Sequence, residues 1–175
     1  MGQKETLSLG HERRPSDSAW KLQEVFDTSY RRLVVQMYAV TGNAGEAEDL
    51  VQDAFVRASA SGRRFQRVDN PEAWLRRTAI NLHRNRWRKL RNFNKIRPKL
   101  ESRSDLPGID QHLIVVDALR RLPEHQREVL ALHYLADLPV AEIASTLGVP
   151  EGTVKTRLMR GREALAAQLG NGSER

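Results

Sequence analysis

From Trp20 to Arg91, apolar residues return at every third or fourth position, and no sustained strand-like alternation appears anywhere in the chain. That spacing puts them on one stripe of an α-helix, whereas a half-buried strand needs strict alternation. The chain therefore reads as all-α. The stretch AWKLQEVFDTSYRRLVVQMYAVTG repeats Leu22, Val25 or Phe26, Tyr30, Leu33 or Val34, and Met37, and ends at Gly42. Asn43 is placed to cap a second helix, AGEAEDLVQDAFVRASA, with Leu50, Val51, Ala54, Phe55 and Ala58 inward and acidic first turns that suit the helix macrodipole. SGRRFQRVDN reads as a loop. PEAWLRRTAINLHRNRWRKLR reads as a third helix opened by Asp69 or Asn70 and Pro71, with Trp74, Leu75, Thr78, Ala79 and Leu82 on its buried side.

Residues 92–110, NFNKIRPKLESRSDLPGID, hold prolines and a glycine but no sustained period, the composition of a linker. Four short helices follow it. The fold expected is two small helical domains joined by a flexible linker, over residues 20–91 and 111–169. Residues 1–19 are expected to be a disordered extension and residues 170–175 a flexible tail.

Charge is concentrated rather than spread. The chain carries +7 overall, but residues 61–100 hold 13 of its 29 Lys and Arg and only 2 of its 22 Asp and Glu, while the segments on either side are slightly acidic. So local a basic footprint favours an anionic partner such as nucleic acid. Other classes fall away. The absence of cysteine excludes disulfides, thiolate metal sites and cysteine catalysis. The histidines make no H-x-x-x-H pair, His83 and His133 read as ordinary helix residues, and no glycine-rich phosphate loop or nucleophile elbow is present. No enzyme activity, cofactor or metal is expected. No apolar run is long enough to span a bilayer, and the first residues lack a signal-peptide core, so a cytoplasmic protein without membrane insertion is expected.

LPVAEIASTLGVPEGTVKTRLMRGREAL has the punctuation of a helix-turn-helix. Ile143, Ala144 and Leu147 form the inner face of its first helix, Gly148 supplies the turn, and Val154 and Leu158 return to the core. The second helix then presents Lys155, Thr156, Met159 and Arg160 outward, with Thr153 near its start. Early residues of such a helix reach base edges in the major groove. Arg157 lies nearer the buried stripe, which suits a phosphate contact or an internal pair.

In the third helix, Arg77, Asn81, Arg84, Arg88 and Arg91 form one outward stripe, and Arg63 and Arg64 precede it beside Phe65. Guanidiniums this close repel one another unless phosphates neutralise them. Interleaved aromatics such as Trp74 would let unpaired bases stack. On the second helix Asp49, Gln52, Asp53 and Val56 share an acidic outer face, suited either to solvent or to a basic protein partner. A stand-alone helix-turn-helix regulator is the alternative function; it leaves the basic helix and this acidic face unexplained.

EAEDLVQDAFVRA, NPEAWLRRTAINLHRNRWR, ALRRLPEHQREVLALHYLADL and PVAEIASTLGVPEGTVKTRLMRGREAL together resemble the extracytoplasmic-function (group 4) sigma factors of the sigma-70 family, in order and spacing. The resemblance implies a promoter-recognition subunit of bacterial RNA polymerase that assists promoter melting. Its first domain would be sigma region 2. That domain would bind the polymerase β′ clamp through Asp49, Gln52, Asp53 and Val56, and open the −10 element with Arg63, Arg64, Trp74, Arg77, Asn81, Arg84 and Arg88. Its second, region 4, would read the −35 element through Thr153, Lys155, Thr156, Arg157, Met159 and Arg160. The polymerase β flap, promoter DNA and an anti-sigma factor are the further partners implied.

Overall fold

A computed structural model describes residues 17–92 and 113–170, and every element among them is a helix. In order these are α1 (Asp17–Thr41), α2 (Ala44–Ser61), α3 (Arg63–Gln66) and α4 (Pro71–Asn92), then α5 (Leu113–Arg120), α6 (Glu124–Tyr134), α7 (Val140–Leu147) and α8 (Glu151–Gly170). The expected extension up to residue 16, the linker beyond Asn92 and the tail after Gly170 lie outside the described residues. Residues 17–19, expected to be disordered, belong instead to α1.

The amino-terminal region is built on α1. Its Leu33, Val34, Met37, Tyr38 and Val40 are buried with Leu50, Val51, Ala54, Phe55 and Ala58 of α2, the inward set expected for that helix. Asn43 caps α2, its Oδ1 accepting the Glu46 amide at 2.8 Å. The expected loop after α2 contains one helical turn, α3, because Phe65 is an apolar anchor, 3% exposed, whose ring meets Trp74 edge-on at 5.3 Å. Lys21 holds that segment to α1 by donating to the carbonyls of Gln66 at 2.6 Å and Val68 at 3.2 Å. Asn70 opens α4, its Oδ1 accepting the Ala73 amide at 3.0 Å.

The buried face of α4 differs from expectation. Leu75, Arg76, Ala79, Ile80 and His83 are the buried residues, while Trp74, Thr78 and Leu82 are half-buried. The stripe is rotated by one position because Arg76 and His83, polar and so discounted by hydrophobic spacing, find partners on other helices. Arg76 lies 3.6 Å from Glu72 and 3.8 Å from Glu142; burial pulls its pKa below the usual arginine value.

In the carboxy-terminal region Ile143, Ala144, Leu147, Val154 and Leu158 are buried together, as the sequence pattern requires. Gly148 turns the chain in the left-handed region, φ 63° and ψ 40°, and its amide bonds the Ala144 carbonyl. Pro150 accepts the first amides of α8, from Thr153 at 3.0 Å and Val154 at 3.2 Å. At 20 residues, α8 is not the short helix expected. A further close approach lies at Gly161, where a Cβ would sit 2.8 Å from Leu130 Cδ1, so α8 packs on α6 through a missing side chain.

The two regions pack on each other, α1 against α5 and α6, and α4 against α7. Arginines cap helices across the junction in both directions. Arg127 of α6, 6% exposed, donates to Val40 O at 2.7 Å and Thr41 O at 3.4 Å, the carboxyl end of α1. Arg84 of α4 donates to Leu147 O, the carboxyl end of α7. A cation among unsatisfied terminal carbonyls satisfies them and complements the helix dipole. Gln36 adds a further bond, to Leu135 O at 3.3 Å.

Candidate nucleic-acid interface

The helix-turn-helix core fixes which way α8 faces. With Val154 at 0% and Leu158 at 3% exposure locked inward, Lys155, Thr156, Met159 and Arg160 stand on the open side, and Met159 is 51% exposed despite being apolar. Thr153 is half-buried. The Thr156 hydroxyl donates to Gly152 O at 2.9 Å, leaving its lone pairs outward to accept. Arg157 is half-buried and faces the junction between the regions, where it lines a cleft with Arg84, Arg88 and Glu128.

On the amino-terminal region, Arg63 and Arg64 of α3 and Arg77, Asn81 and Arg88 of α4 are exposed. Arg84 is half-buried and already bonded to Leu147, so it stands apart from the stripe that spacing assigned it to. The side chain of Arg91 lies outside the described residues. Between α2 and α4 runs an open cleft of about 410 Å³ with Trp74 and Thr78 in its wall and Arg57, Ser61, Asn81 and Asn85 around it. Asn81 and Asn85 offer both donors and acceptors, Trp74 offers an aromatic edge and Arg57 a positive charge. A planar heterocycle with hydrogen-bonding edges fits that chemistry. Hydrophobic spacing gave no sign of Arg57, Ser61 or Asn85 in this cleft, because it forms only when two helices pack.

The acidic face of α2 is open as expected: Asp49, Gln52 and Asp53 are exposed, and Val56 is 66% exposed. Two features went unread in the sequence. Arg86 of α4 pairs with Asp53 at 2.9 Å. Phe26 of α1, 41% exposed, stacks on Tyr30 at 4.6 Å and meets Phe55 at 5.2 Å, and Gln52 reaches the same cluster by donating to Tyr30 OH at 3.4 Å. The face is therefore acidic with an apolar edge.

His83 is no ordinary helix residue. It is fully buried, with Nδ1 2.9 Å from Glu46 of α2 and Nε2 3.5 Å from Glu124 of α6. Burial disfavours its charge, but the carboxylates of Glu124 and Glu46 outweigh it and push its pKa up to about 9. Glu128, 7% exposed and beside the same ring, has its carboxyl raised by burial.

A basic amino-terminal helix joined to a region ending in an outward-facing helix-turn-helix defines a two-region protein of the helix-turn-helix class. Residues 25–93 match Sigma-70 region 2, and residues 112–165 match Sigma-70, region 4. The chain is 34% identical over 160 residues to the ECF RNA polymerase sigma factor SigW of Bacillus subtilis, covering 80% of this chain and 84% of that one. It is 32% identical over 174 residues to the RNA polymerase sigma factor HrpL of Pseudomonas syringae, covering 93% and 94%. Its fold matches that of the sigma factor RpoE of Bartonella quintana, solved in complex with the anti-sigma factor NepR, with a TM-score of 0.62 and 25% identity over 86% of this chain and 97% of that one. The chain belongs to the extracytoplasmic-function sigma factors, which direct RNA polymerase to promoters and start transcription. That family consists of transcription factors rather than catalysts. Among the described residues no helix is long and apolar enough to cross a membrane.

Proposed function

We propose that the two regions divide promoter recognition as their surfaces suggest. The carboxy-terminal region reads the −35 element, with Lys155, Thr156, Met159 and Arg160 at base edges, Thr153 beside them and Arg157 on a phosphate. The observation that carries this reading is the separation of faces on α8, where Val154 and Leu158 are sealed and these four side chains are open. An exposed basic helix face of this kind enters a major groove.

The amino-terminal region opens the −10 element. Arg63, Arg64, Arg77 and Arg88 neutralise backbone, while an unpaired base enters the cleft beside Trp74, Asn81 and Asn85 and is read by amide hydrogen bonds and stacking. Arg84 joins that surface once its bond to Leu147 is released. Asp49, Gln52, Asp53 and Val56 dock the polymerase β′ clamp, and region 4 reaches the β flap. The complex of RpoE with NepR supports an anti-sigma factor as a further partner. The chain acts without catalysis of its own, in the cytoplasm, where the polymerase works. A stand-alone regulator would need only α5–α8.

Gel filtration of the chain with a promoter fragment, with and without core polymerase, tests the reading. A stable promoter complex is expected only when core enzyme is present. Tight sequence-specific binding by the isolated chain at physiological salt would favour the stand-alone regulator.

A further inference from the structure

Where α4 meets α6, three metal-ligating side chains converge from the two regions. One donor atom each of His83, Glu124 and Glu128 lies within 4.8 Å of the others. We propose that this is a divalent metal site, bound through His83 Nε2 and one carboxylate oxygen each of Glu124 and Glu128, with water completing the shell, so that the ion staples region 2 to region 4.

The buried nitrogen points to a ligand. His83 is 0% exposed, and its Nε2 faces Glu124 Oε1 at 3.5 Å, longer than a good hydrogen bond, so this buried nitrogen is only loosely satisfied within the protein. The other ring nitrogen is already oriented. Nδ1 faces Glu46 at 2.9 Å, the carboxylate–histidine arrangement that fixes the tautomer of a metal-bound imidazole and turns its Nε2 lone pair toward the ion. Glu124 and Glu128 stand one turn apart on α6, and their mutual repulsion is relieved by a cation between them. The ion takes the place of the proton on Nε2.

The donor set selects the metal. One imidazole and two carboxylates, with no thiolate, suit zinc or a neighbouring first-row divalent ion; calcium and magnesium take six or more oxygens. Arg84, Arg88 and Arg157 line the open side of the same cleft and repel a cation. Tight binding therefore needs both carboxylates charged at once, and neutralising either one weakens it. Because the ligands come from both regions, the bound ion favours their packed arrangement.

Calorimetric titration of the chelator-treated full chain with zinc chloride tests this, with visible absorption of the cobalt(II) form as a second readout. One ion per chain is expected, with a cobalt spectrum of low coordination number. Glu124→Gln and Glu128→Gln should each keep the helical circular dichroism and weaken zinc binding by about tenfold or more. Absence of saturable binding by the unaltered chain overturns the proposal. So does one-site binding whose affinity both glutamine variants leave unchanged.

Discussion

Arg84 of α4 donates to the main-chain oxygen of Leu147, the last residue of α7, so a side chain of the amino-terminal region closes a helix of the carboxy-terminal region. Arg127 of α6 does the same in the opposite sense at Val40 and Thr41 of α1. The two regions thus complete each other's helix ends. Arg127→Ala leaves those α1 carbonyls without their charged donor at a buried junction, at a cost of about 1–3 kcal/mol. Urea unfolding should show that loss, and small-angle scattering should show a larger radius as the regions separate. An unchanged midpoint and radius would mean that the junction does not depend on this cap.

The acidic face of α2 gives a second expectation. Asp53 and Arg86 are both substantially exposed, so their pair contributes under about 1 kcal/mol to folding. Asp53→Arg should therefore weaken holoenzyme assembly, measured by competition for core polymerase, while leaving helicity intact. Unaltered affinity for core enzyme would remove this face from the docking surface.

Asn81 is exposed and lines the α2–α4 cleft. Asn81→Ala should reduce open-complex formation on duplex promoters, detected by permanganate reactivity of −10 thymines, with little change in closed-complex affinity. Equal losses on duplex and pre-melted templates would contradict a role in opening.

Two glycines of α8 make opposite predictions. At Gly161 an added Cβ meets Leu130, itself 1% exposed and unable to swing away. Gly161→Val should destabilise the carboxy-terminal region by about 1–3 kcal/mol through overpacking. At Gly152 a Cβ meets nothing within 4 Å, so Gly152→Ala should be stabilising by up to about 1 kcal/mol. Urea midpoints decide both.

These cases mark where the sequence could be read. The helix-turn-helix was fully legible: Ile143, Ala144, Leu147, Val154 and Leu158 are apolar at helical spacing, and Gly148 has no Cβ to oppose its left-handed turn. The inner faces of α1 and α2 were legible for the same reason. The inward face of α4 was misjudged by one position, because Arg76 and His83 are buried by partners on α2, α6 and α7 that no local period reveals. The short α3 was hidden because one buried aromatic, Phe65, makes a single turn without a repeat. The open cleft beside Asn81 and Asn85 and the junction caps of Arg84 and Arg127 arise only from tertiary packing.

The most direct test of the account uses Arg160, exposed on α8 opposite the sealed Val154–Leu158 stripe, where its planar fork can meet a guanine edge with two hydrogen bonds. The measurement is single-round transcription by reconstituted holoenzyme from a panel of single-base −35 variants, for the unaltered chain and for Arg160→Ala. The account predicts that the substitution removes about 1–3 kcal/mol of discrimination at one −35 position and leaves the order of preference elsewhere unchanged. A uniform fall at every promoter would show that Arg160 holds only backbone, and would contradict base reading by this face of α8.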